Sequence, residues 1–211
     1  MIRRLIVLTT AGAAALAGLA GCAVATTSTP AAQPAKAHPA AWTTAAATPA
    51  KPSSGAPALT NTGTAWPKVI GSMIAYGQWL EANPNPALAT TITEPGCASA
   101  NALIGSLQSL VDQGAYMKTS APVLSSVSGP VSSTPAVAGS QVTVDIQASR
   151  PAEQVLDRKT ATKTVVLSDQ AQLPPTALKI TLILGTDKKW RFCGVADVLN
   201  DPDGEVITTL L

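Results

Sequence analysis

The sequence predicts an α+β domain, with helices first and an antiparallel sheet after them. Two observations carry this. Apolar residues recur at three and four positions between about Trp66 and Gln113, then switch to strict alternation after Lys118. The order, helices followed by strands, suits helices packed on one face of a sheet rather than alternating βα units.

The helical part opens at Trp66-Pro67, where proline fits a first turn because its missing N–H would be unbonded there anyway. Val69, Ile70, Met73, Ile74, Gly77 and Leu80 then fall on one stripe, and Asn83-Pro84-Asn85-Pro86 ends it. A short second helix is predicted over Ala87 to Thr93, before Glu94-Pro95-Gly96. A third runs from about Cys97 to Gln113, with Ala100, Leu103, Ile104, Leu107, Leu110 and Val111 on its apolar side and Gly114 as terminator.

Among the strands, Val142, Val144, Ile146 and Ala148 alternate with Gln141, Thr143, Asp145 and Gln147, the mark of a sheet wet on one face. Further strands fit Ala161 to Ser168, Ala177 to Leu184 and Lys188 to Val195, the last two around a hairpin at Gly185-Thr186-Asp187. A weaker one lies near Val123 to Val127.

Residues 1–65 read differently. Arg3 and Arg4 precede an apolar run from Leu5 to Ala20 that is short for a membrane span, and Leu19-Ala20-Gly21-Cys22 closes it. The closing tetrapeptide resembles the lipobox of bacterial lipoproteins. That resemblance implies a signal peptide over residues 1–21, diacylglyceryl transfer to the Cys22 thiol and cleavage before it. Cys22 is thus the expected lipidation site, and the expected location is the extracytoplasmic side of the cell membrane. Two acyl chains suffice for stable anchoring, at about 0.8 kcal/mol per buried methylene.

From Ala23 to Ala65 the chain is mainly Ala, Thr, Pro, Ser and Gly, too poor in large apolar residues to offset the entropy of ordering. A disordered tether over residues 22–65 is expected, spanning about 40 Å as a coil and about 130 Å if polyproline-like. Ser and Thr beside proline make it a candidate for O-glycosylation. His38, the chain's one histidine, sits there without acidic or thiol companions. The folded domain is expected over residues 66–211.

The 14 Lys and Arg lose Arg3 and Arg4 with the leader, leaving 12 against 12 Asp and Glu. A neutral mature chain lacks the field that nucleic acid binding requires, so no nucleic acid partner is expected. Within the domain, Cys97 and Cys193 form an even pair, which in an exported protein reads as a disulfide; two buried thiols are the alternative. Alternation places Cys193 opposite Trp190 and Phe192, so either one face is less buried than it looks or a bulge intervenes.

The closing segment Lys189-Trp190-Arg191-Phe192-Cys193-Gly194-Val195, with the element order before it, is similar to the nuclear transport factor 2-like fold of actinobacterial envelope proteins. The resemblance spans about Trp66 to Leu199. It implies a curved sheet wrapped around helices, cone-like, with a pocket that members use differently.

The domain has no histidine, which removes Ser-His-Asp and Cys-His catalysis and His-based metal sites. No glycine-rich phosphate loop is present, and no cofactor or catalytic residue is assigned. The resembled isomerases use a pocket acid; here Asp112 and Asp145 lie on the polar side of their patterns and Glu81 at the fraying end of the first helix. Asp197, Asp201, Asp203 and Glu205 group as a polar turn or, less naturally, a metal loop without the full calcium spacing; no metal is assigned. Tyr76, Trp79 and Tyr116 are candidate pocket residues, or core. Arg150, Glu153, Asp157, Arg158 and Lys159 lie on an expected solvated loop, the first place to look for a partner contact.

Three functions compete. The leading one is a non-catalytic binding or accessory module of the cell envelope, contacting an envelope protein or the cell wall. The others are a carrier or sensor of a small apolar ligand in the cone, and an isomerase-like enzyme using Asp112 or Asp145.

Overall fold

The computed structural model describes residues 55–131, 136–157 and 163–211. The leader, Cys22, His38, most of the expected tether, Arg158 and Lys159 lie outside them. The domain is α+β with antiparallel sheets, as the pattern predicts. Helix α1 covers Trp66–Ala82, a 3-10 segment Pro86–Thr91, and helix α2 Ala98–Gln113. Among the described residues seven strands follow: β1 Ala115–Lys118, β2 Val123–Ser128, β3 Gln141–Arg150, β4 Glu153–Asp157, β5 Val166–Gln170, β6 Leu173–Leu184 and β7 Trp190–Asp197. A short helix α3, Ile207–Leu210, comes last.

One continuous sheet is expected from the sequence; the strands instead form two. β2-β3-β6-β7 make a four-stranded sheet and β1-β4-β5 a three-stranded one. The break falls after β3. The β3–β6 register shifts between Ala148 and Arg150, and Pro151 then offers no amide to continue the ladder. Pro174 and Pro175 stand near the same corner, in the first residues of β6.

The main core lies between the helices and the four-stranded sheet. Ile70, Met73, Leu80, Leu103, Leu107, Ile180, Leu182 and Phe192 are sealed from solvent there. β3 buries Val144, Ile146 and Ala148 and exposes Thr143, Asp145 and Gln147, as its alternation requires. On β7 the parity problem is solved by a bulge: Leu182 pairs with Phe192 but Thr181 with Gly194, which leaves Cys193 as the extra residue. Phe192 and Val195 therefore both face the core, while Cys193 turns to meet Cys97 just before α2. The two cysteines form a disulfide across 96 positions of chain.

α2 ends at Gly114 in the left-handed conformation (φ 65°), its amide bonding back to Leu110 and Val111. Its buried side runs through Ser99, Ala100, Leu103, Leu107 and Leu110; Ile104 and Val111, expected on that stripe, are exposed. A second, smaller cluster joins Leu110 to Ala115, Met117 and Val155 on the three-stranded sheet.

The fold also reaches back before Trp66. Leu59 packs on the core, and Asn61 is buried, bonding in both directions with the Trp190 backbone (2.7 and 2.9 Å). The Trp190 indole donates to the Gly63 carbonyl at 2.8 Å. The last residues of the expected tether thus belong to the domain.

Candidate functional site

The polar interior of this domain gathers where the two sheets part. Arg150, at the end of β3, and Glu153, at the start of β4, form an ion pair with both side chains fully buried. Arg150 also donates through Nε to the Thr209 carbonyl (3.1 Å) and through Nη2 to that of Ala171 (3.4 Å). Glu153 accepts the Ser120 amide at 2.5 Å. The Ser120 carbonyl in turn accepts from Gln78 Nε2 at 2.6 Å. The connection from β1 to β2 is therefore clamped at Ser120, by α1 on one side and β4 on the other.

Glu81 completes the group. It lies one turn beyond Gly77 on the buried stripe of α1, is 0% exposed, and neither carboxyl oxygen has a hydrogen-bond partner among the described residues. Burial, with the Glu153 carboxylate adding to it and Arg150 opposing, pushes its pKa up to about 8. At neutral pH Glu81 is thus mainly protonated. Burial also pushes Glu153 above the ordinary carboxylate range, against the pull of the Ser120 amide and Arg150.

Two depressions flank the clamp. One, of about 360 Å³, is lined by Gly55, Pro57, Ala75, Gln78, Trp79 and Thr119 among others. The other, of about 220 Å³, is lined by Lys118, Ala152, Glu153, Gln154 and Asp169. Of the aromatics expected at a pocket, Trp79 lines the first, with its indole N–H buried and without a hydrogen-bond partner among the described residues. Tyr76 is buried and packs on Trp79 at 5.5 Å between ring centroids. Tyr116 is half-buried on β1 and lines neither depression.

The expected solvated loop needs correction. Arg150, Glu153 and Asp157 belong to strands, and the first two are interior; a connection rich in charge reads as wet from sequence, but here the charges neutralise one another inside. Asp112 and Asp145 are exposed, Asp112 accepting from Gln108 at 2.8 Å on the helix surface. Of these three acids the buried one is Glu81, and the signal for it is its spacing of seven from Ile74 on an otherwise apolar stripe. Asp197 is turned to its own turn, accepting from Asn200 and from the amide of Leu199. Glu205 does other work, accepting from Ser99 on α2 (2.8 Å) and from the Val195 and Ile207 amides (3.2 and 2.9 Å). No three acids or thiols come together as a metal site among the described residues.

No protein-family model and no curated protein matches this chain. Among solved structures, it is similar to the intermembrane space region of the chloroplast protein ARC6, at 6% identity and a TM-score of 0.35, over 62% of this chain and 94% of that one. Among the described residues, no helix is long and apolar enough to cross a membrane.

What the arrangement can do chemically is limited by burial. Arg150 and Glu153 are committed to each other and to backbone, so they hold the corner of the fold together. Trp79 keeps an unused donor beside the first depression, the nitrogen itself being buried.

Proposed function

We propose that this chain is a bacterial lipoprotein, held by lipid on Cys22 at the outer side of the cell membrane. Its domain acts there as a non-catalytic binding or accessory module of the envelope. The observation that carries the reading is the Cys97–Cys193 disulfide, because such structural bonds persist in oxidising, extracytoplasmic compartments and are rare in the cytosol. The lipobox-like Leu19-Ala20-Gly21-Cys22 supplies the anchor. A core closed by Phe192, Met73 and Leu182 supports recognition through the surface rather than an enclosed chamber. The nuclear transport factor 2-like fold remains part of this proposal, supported by helices preceding antiparallel strands, although two separate sheets depart from the single curved sheet it implies.

Feeding cells labelled palmitate tests the anchor. Wild type takes up label and sediments with membranes; Cys22→Ala does neither. An unlabelled wild type, with Cys22→Ala fractionating as wild type does, overturns it.

A second reading, a carrier of a small ligand, is favoured by one feature: the buried, unpartnered Trp79 N–H beside the 360 Å³ depression. Native mass spectrometry of protein taken from cells decides it, since a carrier brings a bound acceptor-bearing molecule with it and Trp79→Phe loses that molecule.

A further inference from the structure

Glu81, Arg150 and Glu153 meet inside the corner where the sheets part. Arg150 and Glu153 neutralise each other, so the group is balanced as long as Glu81 keeps its proton. Glu81 is sealed from solvent, and neither of its oxygens has a hydrogen-bond partner among the described residues. An ionised carboxylate in such a place is costly unless a cation turns to it. The charges within reach are few: Arg150 acts on Glu81 from β3 and Glu153 from β4. Of the other elements packed on α1, β1 brings the half-buried Tyr116 and the exposed Lys118, and α2 the exposed Asp112. β2 and the 3-10 segment carry no titratable side chain. Loss of the Glu81 proton to solvent therefore leaves two carboxylates around one guanidinium, a net negative interior.

The bonds around the group decide which member yields. Arg150 is fixed by two further contacts, Nε on the Thr209 carbonyl (3.1 Å) and Nη2 on that of Ala171 (3.4 Å). Glu81 is held in the last turn of α1, and one turn earlier the Leu211 side chain closes over Gly77. Glu153 differs. It stands first in β4, and of the three it is the one that lines a depression, that of about 220 Å³. Turning outward brings its carboxylate to water. The turn also breaks its bond to the Ser120 amide (2.5 Å), leaving Gln78, on the Ser120 carbonyl, as the remaining jaw on the β1–β2 connection.

We propose that this corner is a pH-responsive clamp on the connection between β1 and β2. When Glu81 gives up its proton, Arg150 is drawn to it, Glu153 turns to water and Ser120 is released. The depression at Thr119, beside Gln78 and Trp79, then widens. The range follows from the burial that pushes Glu81 up to about 8. Its protonated form belongs to the closed corner, so closure prevails below that value and is lost as pH rises through it.

A spin label on Ala121→Cys in the full-length chain in detergent tests this, Ala121 being exposed while the clamp is shut. The unsubstituted chain, treated with label in parallel, supplies the background. The mobile fraction of the label rises from about one tenth at pH 7 to about nine tenths at pH 9, the course of one proton, while near-ultraviolet circular dichroism stays constant. Glu81→Gln and Glu81→Leu, which have no such proton to lose, keep the label immobile across the range. Glu153→Ala frees it already at pH 7. A label on Leu199→Cys, 81% exposed after β7, does not respond. Equal mobility of the Ala121 label at pH 7 and pH 9 overturns the proposal. So do Glu81 variants that follow the wild-type curve, a folded Glu153→Ala chain that stays immobile, or mobility that appears only as the dichroism is lost.

Discussion

The two sheets of this domain are held by different physics. The four-stranded sheet lies under α1 and α2 mainly on apolar side chains, with the Cys97–Cys193 bond at its far edge. The corner where the three-stranded sheet departs is held by Arg150, Glu153, Glu81 and the Ser120 clamp. Apolar contacts are many and individually weak, so one can be lost while the rest remain. Buried charges are few and interdependent. Removing one strands the others in a medium that tolerates no unpaired charge.

The largest expected effect is on the apolar side. Replacing Cys97 and Cys193 together by Ser frees a 96-position separation in the unfolded chain and lowers stability by about 4–5 kcal/mol in the chain-entropy view. Denaturant midpoints measure it. A loss below about 1 kcal/mol would mean that burial alone secures β7 against α2.

Next comes the corner. Arg150→Ala leaves Glu153 buried without its cation and lowers stability by about 3–5 kcal/mol. The informative companion is Glu81→Leu, Arg150→Met, Glu153→Leu, which removes the whole group. Thermal unfolding that recovers most of the loss in this triple variant assigns the cluster a role other than stability; no recovery makes it a structural requirement.

The third effect is spread over pH and is the most diagnostic. Glu81 has its pKa raised in the fold to about 8, from about 4.5 unfolded. Between those values the folded chain keeps a proton that the unfolded chain releases. The folded state is therefore favoured below the unfolded value, and this advantage is lost as pH rises through the folded one, at up to about 1.4 kcal/mol per pH unit. Glu81→Gln flattens that fall between pH 5 and 8. Glu153 and Glu205, also raised by burial, leave a residual slope of the same sign. Unfolding midpoints across this range that decline equally in both proteins refute a neutral Glu81.

The same contrast explains what the sequence made legible. β3 is plain because one face is wet and one dry, so its residues must alternate. The α1 stripe and the Gly114 stop are plain for similar local reasons. β4 was hidden because Glu153 and Asp157 look like loop residues, and only the partners of Glu153, Arg150 and the distant Ser120 amide, make an interior position possible. Asn61 and Gly63 were hidden because their contacts run through backbone groups, about which side-chain pattern says nothing. β5 shows the reverse failure. A strand is expected over Ala161 to Ser168 but runs Val166–Gln170, and its Val166 and Leu167 are about half exposed.

The bulge at Cys193 has a consequence for how the chain acquires its covalent bond. Were β7 to slip one place against β6, the sulfur would swing inward among the leucines, out of reach of its mate beside α2. Oxidation therefore ratifies only the correct alignment, and the trapping of free thiols during refolding would count the chains that have threaded this strand wrongly.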